Sequence, residues 1–243
     1  MTDINWKTQV SSQQQGKENN ISLVFTLIRY YGAISRAEIA HKTGLSPTTI
    51  SYLADQLLTS GFVFETGNGE RSTVGRKPIM LQVNPQGGVI ASLEFLADGF
   101  SCALYDLTIQ EISEQHVLLA DYHQIGQTAA DTISRMLQAH RVNSRRLLGI
   151  SIGIPAVIDY TTRQVLRSTV LPVSGNLSFM EPLQQCFPRS FISLGNESGF
   201  CAYAEKTSGA YESLDHLIYL DINIGVGAGL IIDNHIFSGS GGM

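Results

Sequence analysis

Three successive segments between residues 20 and 62 carry apolar residues at the spacing of amphipathic helices. The first, ISLVFTLIRYYG, predicts a helix that ends at Gly32, because glycine is favoured where a helix stops. Its inner face is expected to consist of Val24, Leu27, Ile28 and Tyr31. The polar residues before it, with SSQQQGKENN at their centre, predict a flexible leader over residues 1–19.

Two shorter helices follow, and both carry start signals. Ser35 and Glu38 stand at the spacing of a capping box, so a second helix is predicted to begin after Ser35 and to end near Gly44. Ser46 then caps a third helix that starts at Pro47, a position that needs no amide hydrogen. The predicted inner positions are Ile39 and Ala40 in the second helix and Ile50, Leu53, Leu57 and Leu58 in the third.

The segment after the third helix predicts a β-hairpin. Its strands are Val63–Thr66 and residues 79–83, with a Gly-Asn-Gly tip. Two short helices joined by a tight turn and followed by a hairpin are typical of a winged helix-turn-helix. Pro85 and Gly87-Gly88 mark the end of this unit. The predicted domains are residues 20–85 and residues 86–243.

From residue 88 onward, strand-like and helix-like patterns alternate. Strands are predicted on both sides of a turn at Asp98-Gly99, over residues 112–118, in the apolar run LLGISIGIP, over residues 191–194, and around the bend in INIGVGAG. Helices are predicted over residues 128–140, with Ile133, Met136 and Leu137 inward, and over residues 197–206, where Asn196 is a candidate cap. This order predicts an α/β lobe of the actin-like, ribonuclease H-like type found in sugar kinases.

Composition narrows the class of protein. No apolar run approaches the roughly 18 residues that a membrane span needs, and the start lacks the pattern of a secretory signal. The three cysteines, Cys102, Cys186 and Cys201, are scattered, which favours a reducing compartment and gives no zinc-knuckle spacing. We therefore expect a cytoplasmic protein.

Charge is distributed unevenly along the chain. The net charge is −5, which taken alone argues against binding to nucleic acid. Residues 1–85, however, carry eight basic and six acidic residues, whereas the remainder carries eight basic and fifteen acidic residues. A mildly basic N-terminal part followed by an acidic remainder is compatible with local contact to DNA, since the charge of the contacting patch matters more than the total net charge.

The third helix is the candidate DNA-reading element. Its first turns present small polar residues and one aromatic residue outward, as expected of a helix whose N-terminal end enters the major groove. In the hairpin, GRKP combines two cations with a slim, extended backbone suited to a narrow minor groove. The candidate DNA contacts are Ser46, Thr48, Thr49, Ser51, Tyr52, Arg71, Arg76 and Lys77. The alternatives are an ordinary helical hairpin and a solvated wing.

The stretch INIGVGAG raises the possibility of a phosphate-binding loop. Gly225, Gly227 and Gly229 stand at alternate positions beside strand residues, so the backbone there is expected to approach another group closely. That group is either a phosphate or another part of the fold.

The sequence resembles the ROK family, which groups bacterial repressors and sugar kinases. The resemblance rests on GRKPIMLQVNP, SIGIPAVID, LGNESGFCAYAE and INIGVGAGLIIDNHIFSGSGG, and it spans about residues 20–243. Within the family the sequence is most similar to the repressor branch, which includes N-acetylglucosamine, glucose-responsive and xylose repressors. The resemblance implies a two-lobed ligand domain with the sugar between the lobes.

Two departures from the family's kinases bear on activity. The kinases place an Asp-x-Gly-Gly-Thr-like loop for ATP phosphates on the first hairpin, and the matching residues 94–98 read EFLAD. Bulky side chains and a carboxylate there are expected to exclude phosphates, leaving the three glycines as a remnant that shapes the cleft. The kinases' Asn-Asp pair is matched by Asn196 and Glu197, and the longer side chain of Glu197 moves the carboxylate away from a catalytic pose.

The resemblance also suggests sugar contacts, each with a structural alternative. Asn176 matches a family loop but also fits a plain turn, and Asn196 and Glu197 also fit a helix cap and a favourable first-turn charge. Asp159 is interpreted as a turn residue, and no histidine is proposed as a metal ligand. The predicted sugar-binding residues are Asn176, Asn196 and Glu197.

The sequence stops inside the family's glycine signature. The resemblance implies that further sugar contacts, a cysteine-rich zinc site and the second lobe follow, but none of these is present in the sequence. We therefore expect no cofactor in this chain, and an exposed strand edge with bare apolar surface where the second lobe packs.

The sequence predicts a sugar-responsive transcriptional repressor of carbohydrate genes, and not an enzyme. The expected partners are an operator in double-stranded DNA, a second copy of the chain in a homodimer or higher oligomer, and a sugar or sugar phosphate as effector. Two alternatives are a ROK-type sugar kinase that uses ATP and a DNA-binding remnant that no longer responds to an effector.

Overall fold

A computed structural model of the chain forms two compact units. The first lies within residues 3–88 together with residues 106–110, and the second comprises residues 89–105 and 111–243. The residues that the structure describes are 13–67, 78–160, 162, 164–171, 179–208, 211, 213–222 and 225–239.

The first unit combines three helices with a small sheet. The helices are α1 (Gln13–Tyr31), α2 (Arg36–Thr43) and α3 (Pro47–Thr59), and the strands are β1 (Ile34–Ser35), β2 (Val63–Thr66) and β3 (Met80–Val83). The strands pair antiparallel in the order β1-β3-β2. The fully or nearly fully buried side chains of the helices include Val24, Leu27, Ile28, Ile39, Ile50, Leu53, Ala54 and Leu57.

The predicted helix boundaries in this unit have the expected chemistry. Ser35 Oγ accepts a hydrogen bond from Glu38 N, and Glu38 Oε2 accepts one from Ser35 N at 2.9 Å, so the capping box of α2 is formed. Gly44 ends α2 in the left-handed region at φ 72°. Ser46 caps α3, and Pro47 is its first residue.

Three details of the first unit differ from the prediction. α1 begins at Gln13, inside the segment predicted to be a flexible leader, because glutamine, glutamate and lysine are good helix formers that extend the apolar part. Tyr31 is 37% exposed, with the Lys42 ammonium 4.4 Å from its ring centre. Ala40 and Leu58, both expected to face inward, are only half-buried, whereas Ala54, one turn after Ile50, is fully buried.

The second unit is an α/β domain, as predicted. Its main sheet contains β4 (Val89–Leu96), β5 (Gly99–Asp106), β6 (Glu111–Leu118), β7 (Leu147–Ile154) and β10 (Phe191–Asn196) in the order β10-β7-β4-β5-β6. β7 runs parallel to both β4 and β10, and β5 pairs antiparallel with β6. The helix α4 (Ile125–Ala139) buries Ile133, Met136 and Leu137, the three residues predicted to face inward.

Five further strands and two α-helices complete the described part of the second unit. They are β8 (Val157–Asp159), β9 (Gln164–Arg167), α5 (Met180–Cys186), α6 (Glu197–Ser208), β11 (Leu217–Ile222), β12 (Val226–Ile232) and β13 (His235–Ile236). β8 pairs with β9, and β11, β12 and β13 form a separate antiparallel sheet in that order. The β8–β9 hairpin and α5 were not predicted, because each is too short for its periodicity to stand out.

Candidate functional site

The first candidate site is the α3 surface, formed by Ser46, Thr48, Thr49, Ser51 and Tyr52. Thr48, Ser51 and Tyr52 are exposed, and Tyr52 retains 51% of its accessible area. Thr49 is half-buried, and its backbone N–H and hydroxyl lie 3.1 and 2.8 Å from the Ser46 hydroxyl. Tyr52 accepts a hydrogen bond from Gln56 Nε2 at 3.1 Å. The first two turns of α3 therefore present hydroxyl groups and one aromatic ring to solvent.

Arg36, which the sequence reasoning missed, orients α3. It donates to Glu65 Oε1 on β2 at 2.7 Å and to Asp55 Oδ1 on α3 at 3.1 Å. One guanidinium group thus joins α2, α3 and the hairpin. No local pattern indicates this contact, because its partners lie far apart in the sequence.

Four predicted site residues lie outside the described residues. They are Arg71, Arg76 and Lys77 of the hairpin and Asn176 of the predicted sugar site.

The second candidate site is the cleft, an open cavity of about 850 Å³ in the second unit. The end of β4, the β8–β9 hairpin, the start of α6 and the glycine-rich part of β12 form its walls. Its charged lining residues, among those described, are Glu94, Asp98, Arg167, Glu197 and Asp221. Both described members of the predicted sugar site, Asn196 and Glu197, lie in this cleft.

Asn196 has a structural role at the cleft wall. Its Oδ1 accepts a hydrogen bond from Ser198 N at 3.0 Å, which caps α6, and its Nδ2 donates to Ala156 O at 3.2 Å. The capping role considered for this residue is therefore observed. The side chain fixes the start of α6, and with it the position of Glu197.

Glu197 is half-buried among other carboxylates. Burial, together with the negative charges of Asp221 and Glu94, raises its pKa to about 7. The carboxyl group therefore changes protonation near neutral pH, and its protonated form is a hydrogen-bond donor. Asp221 on β11 was missed by the sequence reasoning, although the alternation of β11 places it on the same face as Tyr219.

Cys201 lies one turn along α6 from Glu197 and also lines the cleft. Burial raises the pKa of the Cys201 thiol, while a hydrogen bond with the Tyr219 side chain opposes that effect. A thiol held protonated is a poor nucleophile. Cys201 thus belongs to the wall of the cleft.

The glycines of β12 serve close packing against α6. A Cβ added to Gly229 would lie 1.9 Å from Ser198 O, and one added to Gly227 would lie 2.4 Å from Ser198 Oγ. A Cβ on Gly225 would instead meet only Val170 Cγ2, at an ordinary 3.6 Å. The close approach that the sequence indicated is therefore made, at two of the three glycines, by the helix of the same unit.

The side chain of Phe95, expected to obstruct the cleft at residues 94–98, lies in the core. Phe95 is fully buried and packs against Phe100 and Phe179, with ring centres 6.1 and 5.3 Å apart, so its side chain does not block the cleft. Successive residues of a strand face opposite sides, and Glu94 is accordingly exposed and lines the cleft. Negative charge at this position remains, but bulk from Phe95 does not.

Two absences hold for the part of the chain that the structure describes. No helix there is both long and apolar enough to cross a membrane. Within the same residues, no group of three or more histidine, cysteine, aspartate or glutamate side chains is arranged to hold a metal ion.

Comparisons with known proteins identify the family of this chain and similar proteins. A model of the ROK family matches residues 91–243. The xylose repressor of Caldicellulosiruptor bescii is 31% identical over 234 residues, which cover 93% of this chain and 57% of the relative. This chain therefore spans a little over half the length of that repressor.

Solved structures give the same fold. The crystal structure of a ROK family transcriptional regulator, described as a homolog of the Escherichia coli MLC protein, matches with a TM-score of 0.77 at 23% identity. The match covers 93% of this chain and 57% of that one. A putative sugar kinase from Cytophaga hutchinsonii matches with a TM-score of 0.55 at 20% identity, over 64% of this chain and 51% of that one. The second unit thus has the actin-like α/β fold of ROK sugar kinases.

Proposed function

Since this chain belongs to the ROK family, we propose that it acts as a sugar-responsive DNA-binding repressor of carbohydrate uptake or catabolism genes in the cytoplasm. The observation that carries the proposal is the α3 surface, a capped helix start that presents hydroxyl groups and a tyrosine to solvent. The similarity to a xylose repressor supports it.

We propose that the first unit is a winged helix-turn-helix. In this proposal α2 and α3 form the helix-turn-helix, β2 and β3 form the base of the wing, and α3 enters the major groove. Hydroxyl groups of the α3 surface contact bases and phosphates, while Arg71, Arg76 and Lys77 reach the backbone and the minor groove. A homodimer then reads two half-sites of a palindromic operator.

The cleft is the proposed effector site. Its carboxylates accept hydrogen bonds from sugar hydroxyl groups, and Asn196 holds the start of α6 in place. Effector binding shifts the dimer between two states that differ in operator affinity. A coupling free energy of about 1–3 kcal/mol is typical of such a response.

A sugar kinase is the second candidate, favoured by the fold match to a putative sugar kinase. The carboxylate of Glu94 argues against it, because its negative charge repels a nucleotide phosphate near the end of β4. An assay for ATP consumption with a panel of hexoses separates the two. Sustained, sugar-dependent turnover would favour the kinase.

The DNA-reading role is tested by titrating operator fragments selected from random DNA. The double variant Thr48→Ala/Ser51→Ala is expected to lose about 1–3 kcal/mol of affinity for the selected site and little for unrelated DNA, because base contacts carry specificity. Thr59→Ala, at the far end of α3, is the control and is expected to bind normally. Equal losses on both kinds of DNA, or none, would contradict the role of the α3 surface.

The hairpin is tested separately by its salt dependence. Arg76→Ala/Lys77→Ala is expected to weaken binding to A·T-rich operators. It should also reduce the slope of log affinity against log salt concentration by the amount expected for about two lost phosphate contacts. Unchanged affinity and slope would remove these two residues from the interface.

A further inference from the structure

Resting on the proposed function of the cleft, we infer that its effector is a neutral or cationic sugar without a phosphate group. The proposed function leaves open whether a free sugar or a sugar phosphate is the effector. The two differ by about two negative charges near neutral pH, so the electrostatics of the cleft decide between them.

The charges that line the cleft are unfavourable for an anion. Among the described lining residues, four are carboxylates and one, Arg167, is basic. The acidic residues come from β4, the following turn, α6 and β11, so they surround the cavity from several sides. They are Glu94, Asp98, Glu197 and Asp221. Even with His116 Nε2 3.6 Å from Asp98, a phosphate would meet net repulsion, whereas sugar hydroxyls can donate to each carboxylate.

Two backbone features that can hold a phosphate, the start of α6 and the glycines of β12, are partly occupied. At the start of α6, Asn196 Oδ1 accepts a hydrogen bond from Ser198 N, and Glu197 places a carboxyl group in the first turn, where an anion would bind. Gly227 and Gly229 lie within the β11–β12 ladder, opposite Asp221 and Tyr219, and one side of each is covered by Ser198. Neither the helix start nor these two glycines form an open cradle for a phosphate.

Glu197 adds a second property that suits a sugar. Because burial and two neighbouring carboxylates raise its pKa to about 7, the carboxyl can either donate to or accept from a hydroxyl at neutral pH. The groups facing it are Asp221 from β11 and Glu94 from β4, and both favour its protonated form. A phosphate nearby would favour the protonated form of Glu197 still more. The neutral carboxyl group would then offer the phosphate no positive charge.

Calorimetry on the whole chain with matched ligands tests the inference. The pairs are glucose with glucose 6-phosphate and N-acetylglucosamine with its 6-phosphate, accompanied by xylose and glucosamine. At least one free sugar is expected to bind, and its phosphate at least about tenfold more weakly. For the neutral sugars, higher salt is expected to narrow that difference, because screening weakens the repulsion of the phosphate and leaves the uncharged sugar unaffected.

Charge removal gives an independent readout. Glu94→Gln and Asp221→Asn are each expected to improve binding of the sugar phosphate relative to the free sugar by about threefold or more. The matched control is Asp131→Asn, because Asp131 lies on the exposed face of α4, outside the cleft. Its carboxylate accepts a hydrogen bond from Gln127 Nε2. The salt comparison needs only the wild-type chain, so it holds even if a variant does not fold.

The outcomes are distinguishable. Tighter binding of a sugar phosphate than of its free sugar would overturn the inference and leave a sugar-responsive repressor standing. If no ligand in the panel binds measurably while operator binding is retained, both this inference and the sugar response are overturned. The chain would then be a DNA-binding protein without an effector.

Discussion

At the scale of single residues, Glu197 is the group most altered by its surroundings. Its pKa rises from an ordinary 4.5 to about 7, first because of burial and then because of Asp221 and Glu94. The folded chain therefore holds this proton to higher pH than the unfolded chain does. Between those two values the folded state binds more protons, so the free energy of unfolding falls as pH rises.

Glu197→Gln is expected to remove this pH dependence. The variant should match the wild type near about pH 4.5 and exceed its free energy of unfolding by about 1–2 kcal/mol near pH 8, a value reduced from the full shift because the side chain is half-exposed. Urea unfolding at both pH values measures the effect. Glu181→Gln is the control, since Glu181 is exposed but also lies in the first turn of a helix. Parallel pH profiles for wild type and Glu197→Gln would contradict the assignment.

At the scale of elements, the contact between α6 and β12 fixes one wall of the cleft. Ser198 is 2% exposed and lies against both Gly227 and Gly229, so the helix and the strand approach more closely than a side chain at either glycine would allow. The same helix carries Glu197 and Cys201 into the cleft. The spacing of these two elements thus sets the position of the acidic groups.

Gly229→Ala is expected to destabilise the second unit by about 2 kcal/mol or more, because its methyl group would overlap the Ser198 carbonyl and force the helix away. Gly225→Ala, in the same glycine-rich stretch, is expected to be nearly neutral, since its Cβ meets only Val170 at van der Waals distance. Thermal unfolding compares the two variants. Equal effects would mean that these glycines act through something other than helix packing.

At the scale of the whole molecule, one surface is unusually apolar. β11 alternates between residues that face α6 and residues that face solvent, and β12 is its only partner strand among the described residues. The exposed side chains of this apolar face are Ile218 (68%), Leu220 (64%), Ile222 (75%) and Val226 (81%). Among the described residues, β11 is thus an edge strand whose exposed side chains are apolar.

The chain is expected to bind an apolar dye through this face and to self-associate as concentration rises. Ile218→Thr/Leu220→Thr/Ile222→Thr should reduce both effects, as measured by dye fluorescence and sedimentation. The matched control replaces three exposed apolar residues that lie on separate strands, Leu118→Thr/Leu166→Thr/Phe191→Thr. If the control reduces association as much as the first variant, total apolar exposure and not this face is responsible.

The sequence by itself determined the elements whose causes are local. The capping box of Ser35 and Glu38, the Ser46 cap before Pro47 and the inward face of α4 follow from groups within a few residues of one another. Such contacts form whenever the helix forms, so their spacing is sufficient to predict them. The order of strands and helices was likewise sufficient to indicate the α/β class.

Only the tertiary structure decided which distant groups meet. Arg36 joins Asp55 and Glu65, Asp221 lies beside Glu197, and Ser198 occupies the space left by Gly229. The face on which Phe95 lies also depends on strand register, because a shift of one residue would exchange it with Glu94. These contacts depend on how the elements pack, and packing is set by the summed burial of the core, which no local spacing encodes.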